Sequence, residues 1–318
     1  MNRTPAALLP DGQGPWLTSE LDLLGIGKDA RRRLLANNDI VRPRIGVFAP
    51  AEEQRRLTLS ERADRRLAAH LRLTQNKEDP AYIYSHTSAA RLRGLSFWRD
   101  SPLIHVSCRS KPCARRLGSD IRTHFIPVPG TDWDIVNGVP VTTLERTIID
   151  CARIMPVEDA LILADQALAL GADRRRMHRM LERLTGHRGV VNARMVVDFA
   201  DQRSQSVAES RSRLLFHLES LTAPVPQMAV MTPLGWRYLD FAWPDSMLAV
   251  EFDGEVKYFG EKPTERALYE ERLRERHLME LGWRFVRLSW ADLDDPGGVR
   301  RRIKAALRAQ DSAAALRN

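Results

Sequence analysis

The stretch Tyr238-Leu-Asp240-Phe241-Ala-Trp243-Pro244-Asp245-Ser246-Met-Leu-Ala-Val250-Glu251-Phe-Asp253-Gly254-Glu-Val-Lys257-Tyr258 gathers carboxylates and a lysine on one short segment. Pro244, Asp245 and Ser246 are turn formers and both flanks are rich in strand formers, so the pattern predicts a β-hairpin. With the turn centred between Asp245 and Ser246, position 240 falls opposite position 251. Directly opposed residues share a face, with Cβ atoms roughly 4.5–5.5 Å apart. Strand period two adds Asp253 to that face, and Lys257 as well if the strand continues undistorted past Gly254. Carboxylates held so close repel unless a cation neutralises them, and hard oxygen donors suit Mg²⁺ or Mn²⁺. Phe241-Ala242-Trp243 and Ala249-Val250 are read as the apolar, opposite face, so the hairpin is expected to be half buried. The alternative is an exposed hairpin whose acidic face is simply solvated. Gly254, directly after Asp253, suggests a bulge or a close backbone approach.

Further along come Glu271-Arg272-Leu-Arg274-Glu275-Arg-His-Leu278 and then Gly282-Trp283-Arg284-Phe285-Val286-Arg287-Leu288. With the hairpin, these segments resemble the PD-(D/E)XK nuclease superfamily, in the branch near the very-short-patch mismatch-repair endonucleases. The likeness covers roughly residues 206–307. It implies a restriction-endonuclease-like α/β domain in which Asp240 and Glu251 hold one or two Mg²⁺ or Mn²⁺ ions for phosphodiester hydrolysis. It also implies a glutamate from the first helix of the domain, a place that Glu209 in Ser206-Val-Ala-Glu209 fits. Read locally, that same Ser206-x-x-Glu209 is a capping box. The superfamily lysine position holds Asp253 here, and Lys257 is expected to supply that charge. The catalytic set is then Asp240, Glu251, Asp253 and Lys257. Arg274 is assigned either to the DNA backbone or to an i, i+3 pair with Glu271.

At the N-terminal end, Thr18 to Leu24 reads as a short capped helix, Gly25-Ile-Gly27 as a turn and Lys28 to Asn37 as a second, basic helix. Ile40 to Phe48 follows as a hairpin-like wing. This outline is that of a winged helix, whose second helix enters the major groove. Lys28, Arg31, Arg32, Arg33, Arg42 and Arg44 are its candidate DNA-binding residues; the alternative is a packing module with a solvated basic face. The Ser85–Leu95 segment reads as a helix with a glycine stop, Ile104–Ser107 and Ile121–Phe125 as strands, and Val139 onward as a run of helices to Ala200. Together with the wing ending Gly46-Val47-Phe48, residues 14–200 resemble the abortive-infection antitoxin family of type IV toxin–antitoxin systems. That resemblance implies operator binding and a toxin partner. Asp201–Ser206 is polar and aperiodic and is expected to be a linker.

The 318-residue chain is 43% apolar, enough for two or three domains with cores of their own. Its formal charge of +8 favours a polyanionic partner. Cys108, Cys113 and Cys151 show neither a disulfide framework nor a zinc spacing. His86, His105 and His124 lie on different predicted elements without ligand spacing and are expected to be ordinary core or surface histidines. Gly25-Ile-Gly27-Lys28 is too short for a phosphate loop, and the serine-hydrolase elbow and zinc-protease motifs are absent. No apolar signal core or membrane-length run occurs, so a cytoplasmic protein with no membrane partner is expected.

The expected architecture is α/β and multidomain. A winged helix occupies 1–50, a mixed α/β domain 51–200 and an endonuclease-like domain 201–318. The expected function is that of a DNA-binding protein with a metal-dependent endonuclease domain, in defence or repair. The alternative is an antitoxin-like regulator with a catalytically silent nuclease domain.

Overall fold

The computed structural model describes residues 15–74, 82–99, 101–108, 118–253 and 265–315, excepting the side chains of 265–272 and 310–315. These residues form twelve helices and three sheets, a mixed α/β architecture. They fall into two compact units, one built from residues up to Leu163 plus Ala172–Asp198, the other from Ala164–Gly171 plus the chain from Phe199 onward. Among the described residues no helix is long and apolar enough to cross a membrane.

The first unit opens with β1 (Trp16–Leu17), α1 (Thr18–Leu23), α2 (Lys28–Ala36), β2 (Ile40–Arg44) and β3 (Val47–Pro50), the strands ordered β1-β3-β2. Helix α1 starts where Glu20 reaches back to accept from the Leu17 N–H at 2.8 Å. Gly25, at φ +78°, turns the chain toward α2. Trp16, Leu21, Ile26, Leu34, Ile40 and Phe48 close a small core beneath these elements. The helix, turn, helix and hairpin expected here are present, with the short strand β1 added along β3.

Helices α3 (Ala51–Arg56) and α4 (Leu59–Thr74) lead to a five-stranded sheet of order β6-β5-β4-β8-β7. Its strands are β4 (Tyr82–Tyr84), β5 (Ile104–Cys108), β6 (Ile121–His124), β7 (Trp133–Val136) and β8 (Val139–Thr142), with α5 (His86–Leu92) between β4 and β5. Val139, expected at the head of a helical run, begins a strand instead, because Asn137-Gly138, both at positive φ, close a two-residue hairpin with β7. Helices α6 (Leu144–Ala152), α7 (Val157–Ala169), α8 (Arg174–Arg183) and α9 (Val190–Phe199) follow. Inside α6, Arg146 is buried and donates to Asp150 at 2.9 Å, the i, i+4 pairing that the sequence spacing predicts.

The second unit has α10 (Val207–Leu218), β9 (Val225–Thr232), β10 (Gly235–Trp243), β11 (Leu248–Phe252), α11 (Glu265–Glu280), β12 (Arg284–Leu288) and α12 (Pro296–Ala315). The sheet order is β12-β11-β10-β9. Strands β9, β10 and β11 are antiparallel, and β12 runs parallel to β11 after the helical crossover α11. On one face Phe241, Trp243, Leu248, Val250 and Leu288 pack with Leu215 and Phe216 of α10 and Val299 and Ile303 of α12. On the other, Leu239, Ala242 and Ala249 meet Leu278 and Trp283. The hairpin is therefore covered on both faces near its turn, a correction to the half-buried expectation: the alanines that share the acid face are themselves under α11.

Residues 201–206, expected to be a linker from their polarity, are tied down by side chains. The Asp201 N–H donates to Asp165 at 2.7 Å, Arg203 pairs with Asp201 at 2.7 Å, and Arg213 reaches Ser204 at 3.3 Å. In a buried pair, Arg213 Nη2 donates to both Asp165 oxygens at 2.8 and 2.6 Å, and Ser210 adds a hydroxyl at 2.6 Å. Removing one partner strands a buried charge. Arg213→Ala or Asp165→Ala is expected to cost about 3–5 kcal/mol, whereas replacing both by apolar residues of similar volume costs far less. Chemical denaturation of the single and double variants reads this directly.

Candidate metal and nucleic-acid sites

The main-chain ladder between β10 and β11 pairs Trp243 with Leu248, Ala242 with Ala249 and Phe241 with Val250. Continuing it by one residue sets Asp240 across from Glu251, the register predicted from the turn. At that point a side chain takes over from the ladder: Asp240 Oδ2 accepts the Phe252 N–H at 3.0 Å. The acidic residues thus sit at the end of the hairpin away from its turn.

Glu209, in the first turn of α10, joins them. It acts as a cap, with its own N–H on Ser206 Oγ at 3.1 Å and its carboxylate accepting from Ser206 Oγ at 2.9 Å and from the Gln205 N–H at 3.1 Å. It also faces the hairpin. Gln227 of β9 donates its amide to Glu209 Oε2 at 2.9 Å and to Asp240 Oδ1 at 3.4 Å. Gln227 sits at φ +50°, an unfavourable value for a side-chain-bearing residue. Burial, and after it the nearby Asp240 charge, hold the Glu209 carboxyl above its ordinary range against the hydrogen bonds it accepts. Sequence reasoning missed Gln227. Its signal was a lone amide in an apolar strand, at the position the β9–β10 register places opposite Asp240.

Glu251 is ion-paired to Arg274 of α11 at 3.2 Å, and the same guanidinium donates to the Tyr238 carbonyl at 3.0 Å. Arg274 is therefore turned into the carboxylate site. Asp253 stands 57% exposed beside Arg287, 3.9 Å away, and Arg287 is also 3.0 Å from Glu275. Lys257 and Gly254 lie outside the described residues. Glu209, Asp240 and Glu251 offer the hard oxygen set that Mg²⁺ or Mn²⁺ takes. They are not drawn within 4.8 Å of one another as a trio, a closeness that among the described residues belongs to another group.

That group is His86, His105 and His124. In place of the ordinary, scattered histidines expected, the fold assembles a cluster, with His86 at the start of α5 and the others on the adjacent parallel strands β5 and β6. His105 Nδ1 lies 3.0 Å from His124 Nε2, and the His86 and His124 rings stack with centroids 3.6 Å apart. Burial, with Arg122 adding to it, pushes His105 down to about 4. Burial, then His105 and nearby arginines, pushes His124 down to about 3, and burial lowers His86 well below the usual histidine range. All three rings are neutral at neutral pH.

In the N-terminal module Lys28, Arg32, Arg33 and Arg42 are exposed. Arg31 and Arg44, expected to contact DNA, point inward instead. Arg31 pairs with Asp22, donates to the Ile26 carbonyl at 2.6 Å and covers the Phe48 ring. Arg44 pairs with Asp120. These contacts leave the two arginine side chains only 11% and 10% exposed, off the basic surface.

No family model matches the chain. Two curated relatives, Uncharacterized protein MT2308 of Mycobacterium tuberculosis (strain CDC 1551 / Oshkosh) and Uncharacterized protein Rv2248 of Mycobacterium tuberculosis (strain ATCC 25618 / H37Rv), are each 33% identical over 172 residues. The match takes in 53% of this chain and 62% of theirs, so the chain spans under two thirds of the length of these relatives. The crystal structure of RV2827C protein from Mycobacterium tuberculosis is similar with a TM-score of 0.36 and 18% identity, over 68% of this chain and 81% of that one.

The histidine cluster makes the fold acid-sensitive. Folded values near 4 and 3 lie below the unfolded 6.5, so the unfolded chain takes up protons first as pH falls. The stability held above pH 6.5 is expected to drain away as pH falls toward about 4. Thermal unfolding across that window, steeper in the wild type than in His124→Gln, checks this.

Proposed function

We propose that the chain is a DNA-binding protein whose second unit hydrolyses phosphodiesters at a Glu209, Asp240 and Glu251 site with Mg²⁺ or Mn²⁺. The observation that carries this reading is the meeting of Glu209 with Asp240 through Gln227, on a strand whose register faces Asp240 toward Glu251. Glu209 and Asp240 repel one another when held together for structure alone, and an ion bound between them, with Glu251 as a further ligand, offsets that repulsion. When bound, such an ion activates water and stabilises charge on the scissile phosphate.

The chain's own groups divide the remaining work. Gln227 bridges Glu209 and Asp240 and fixes their orientation. Arg274, held between Glu251 and the Tyr238 carbonyl, supplies a cation beside the carboxylates, within a side-chain rotation of a phosphate oxygen bound there. Lys28, Arg32, Arg33 and Arg42 provide phosphate contacts from a winged-helix-like module.

A regulatory reading also has an observation in its favour. Asp253 stands where the nuclease superfamily places lysine, and Arg274 already neutralises Glu251. On that reading the second unit is catalytically silent, and the chain acts as an antitoxin-like DNA binder with a toxin partner.

Cleavage of supercoiled and linear DNA with Mg²⁺ or Mn²⁺ separates the two. Under the nuclease reading Asp240→Ala and Glu251→Ala each reduce cutting by on the order of 10²-fold or more while gel-shift affinity is unchanged. Intact DNA at every metal concentration, with sequence-selective shifting retained, would put the regulator first. Replacing Lys28, Arg32, Arg33 and Arg42 together by alanine is expected to weaken DNA binding. The slope of log affinity against log salt should then flatten by about 0.9 for each phosphate no longer neutralised.

A further inference from the structure

We propose that His86, His105 and His124 form a buried binding site for one divalent transition-metal ion, zinc by preference, in the first unit. The site is independent of the carboxylate cluster and differs from it in chemistry. Imidazole nitrogens suit zinc and its neighbours in the first transition row, whereas Mg²⁺ and Mn²⁺ favour oxygen donors.

Three observations converge on it. One donor atom from each ring falls within 4.8 Å of the others. The contact between His105 Nδ1 and His124 Nε2 is 3.0 Å, close to the roughly 3.3 Å that separates two nitrogens bound to one tetrahedral zinc at ~2.0–2.1 Å. His86 Nδ1 is held by Ser85 Oγ at 2.9 Å, leaving Nε2 as its free nitrogen, and Ser85 in turn accepts from Ser107 at 3.0 Å. Hydrogen bonding of the non-ligating nitrogen is how metal-binding imidazoles are oriented.

The fold positions the ligands from three places at once. His105 and His124 lie on the paired strands β5 and β6, where Ser88 Oγ anchors the His105 N–H at 2.8 Å. His86 begins α5 at φ +52°, a strained conformation for histidine that aims its ring across β5. An imidazole binds a metal in its own plane, so the near-parallel stack of His86 on His124, 17° between planes, must open by rotation of one ring when the ion enters. Three protein nitrogens leave one tetrahedral position for water.

The test uses the full chain, purified without a histidine tag, stripped with chelator and reloaded with zinc or cobalt. One equivalent of zinc per chain is expected, with tetrahedral cobalt absorption bands and a melting temperature that zinc raises and Mg²⁺ does not. The double variant Asp240→Ala, Glu251→Ala should keep the zinc, His124→Gln should lose it, and Ser85→Ala should bind about 10–100-fold more weakly. Failure of the wild type to take up stoichiometric zinc or to show the cobalt bands overturns the proposal, and so does a zinc content unchanged in a folded His124→Gln.

Discussion

The register of β10 against β11 is the constraint on which the carboxylate site depends. Side chains alternate faces along a strand, so a slip of one residue would carry Asp240 to the opposite side of the sheet from Glu251. Two features prevent it. The turn Pro244–Ser246 is closed by the Met247 N–H on the Pro244 carbonyl at 3.0 Å, with Met247 at φ +43°, and the Arg284 N–H is anchored on the Met247 carbonyl at 2.9 Å. The two faces also differ near the turn: Phe241 and Trp243 fill one, while Ala242 and Ala249, with Leu239, meet Leu278 and Trp283 on the other. A slipped strand would drive aromatic rings into the positions that Ala242 and Ala249 occupy.

That constraint explains why the hairpin is readable from sequence. A proline-led turn between two strand-forming runs fixes the pairing arithmetic, and the observed pairs from Trp243–Leu248 to Phe241–Val250 follow it. The capping pair Ser206 and Glu209 is equally local, since its partners lie three residues apart. The helices and hairpin between Thr18 and Pro50 are legible for the same reason, being set by periodicity and glycine turns over short spans.

What escapes the sequence depends on distance along the chain. His86, His105 and His124 are spread over three elements, and only the pairing of β5 with β6 and the entry of α5 bring their rings together. The inward turn of Arg31 and Arg44 depends on where Asp22 and Asp120 come to lie, which no local pattern encodes. Gln227 acquires its role only once β9 is registered on β10. The Asn137-Gly138 turn is a different case: its signal is local and strong, and the helical run after it obscures it.

The discontinuity of the second unit has its own consequence for how such a chain can be cut or recombined. Asp165 belongs to this unit but sits on α7, some way before the residues from Phe199 that make up the rest. A fragment that began at the polar stretch near residue 201 would carry Arg213 without its carboxylate partner, a charged group left buried where solvent cannot reach it. A cut near residue 201 therefore divides the second unit itself. During synthesis the segment that completes the second unit emerges well ahead of the helix that needs it, so α10 is the element that gives Asp165 its partner.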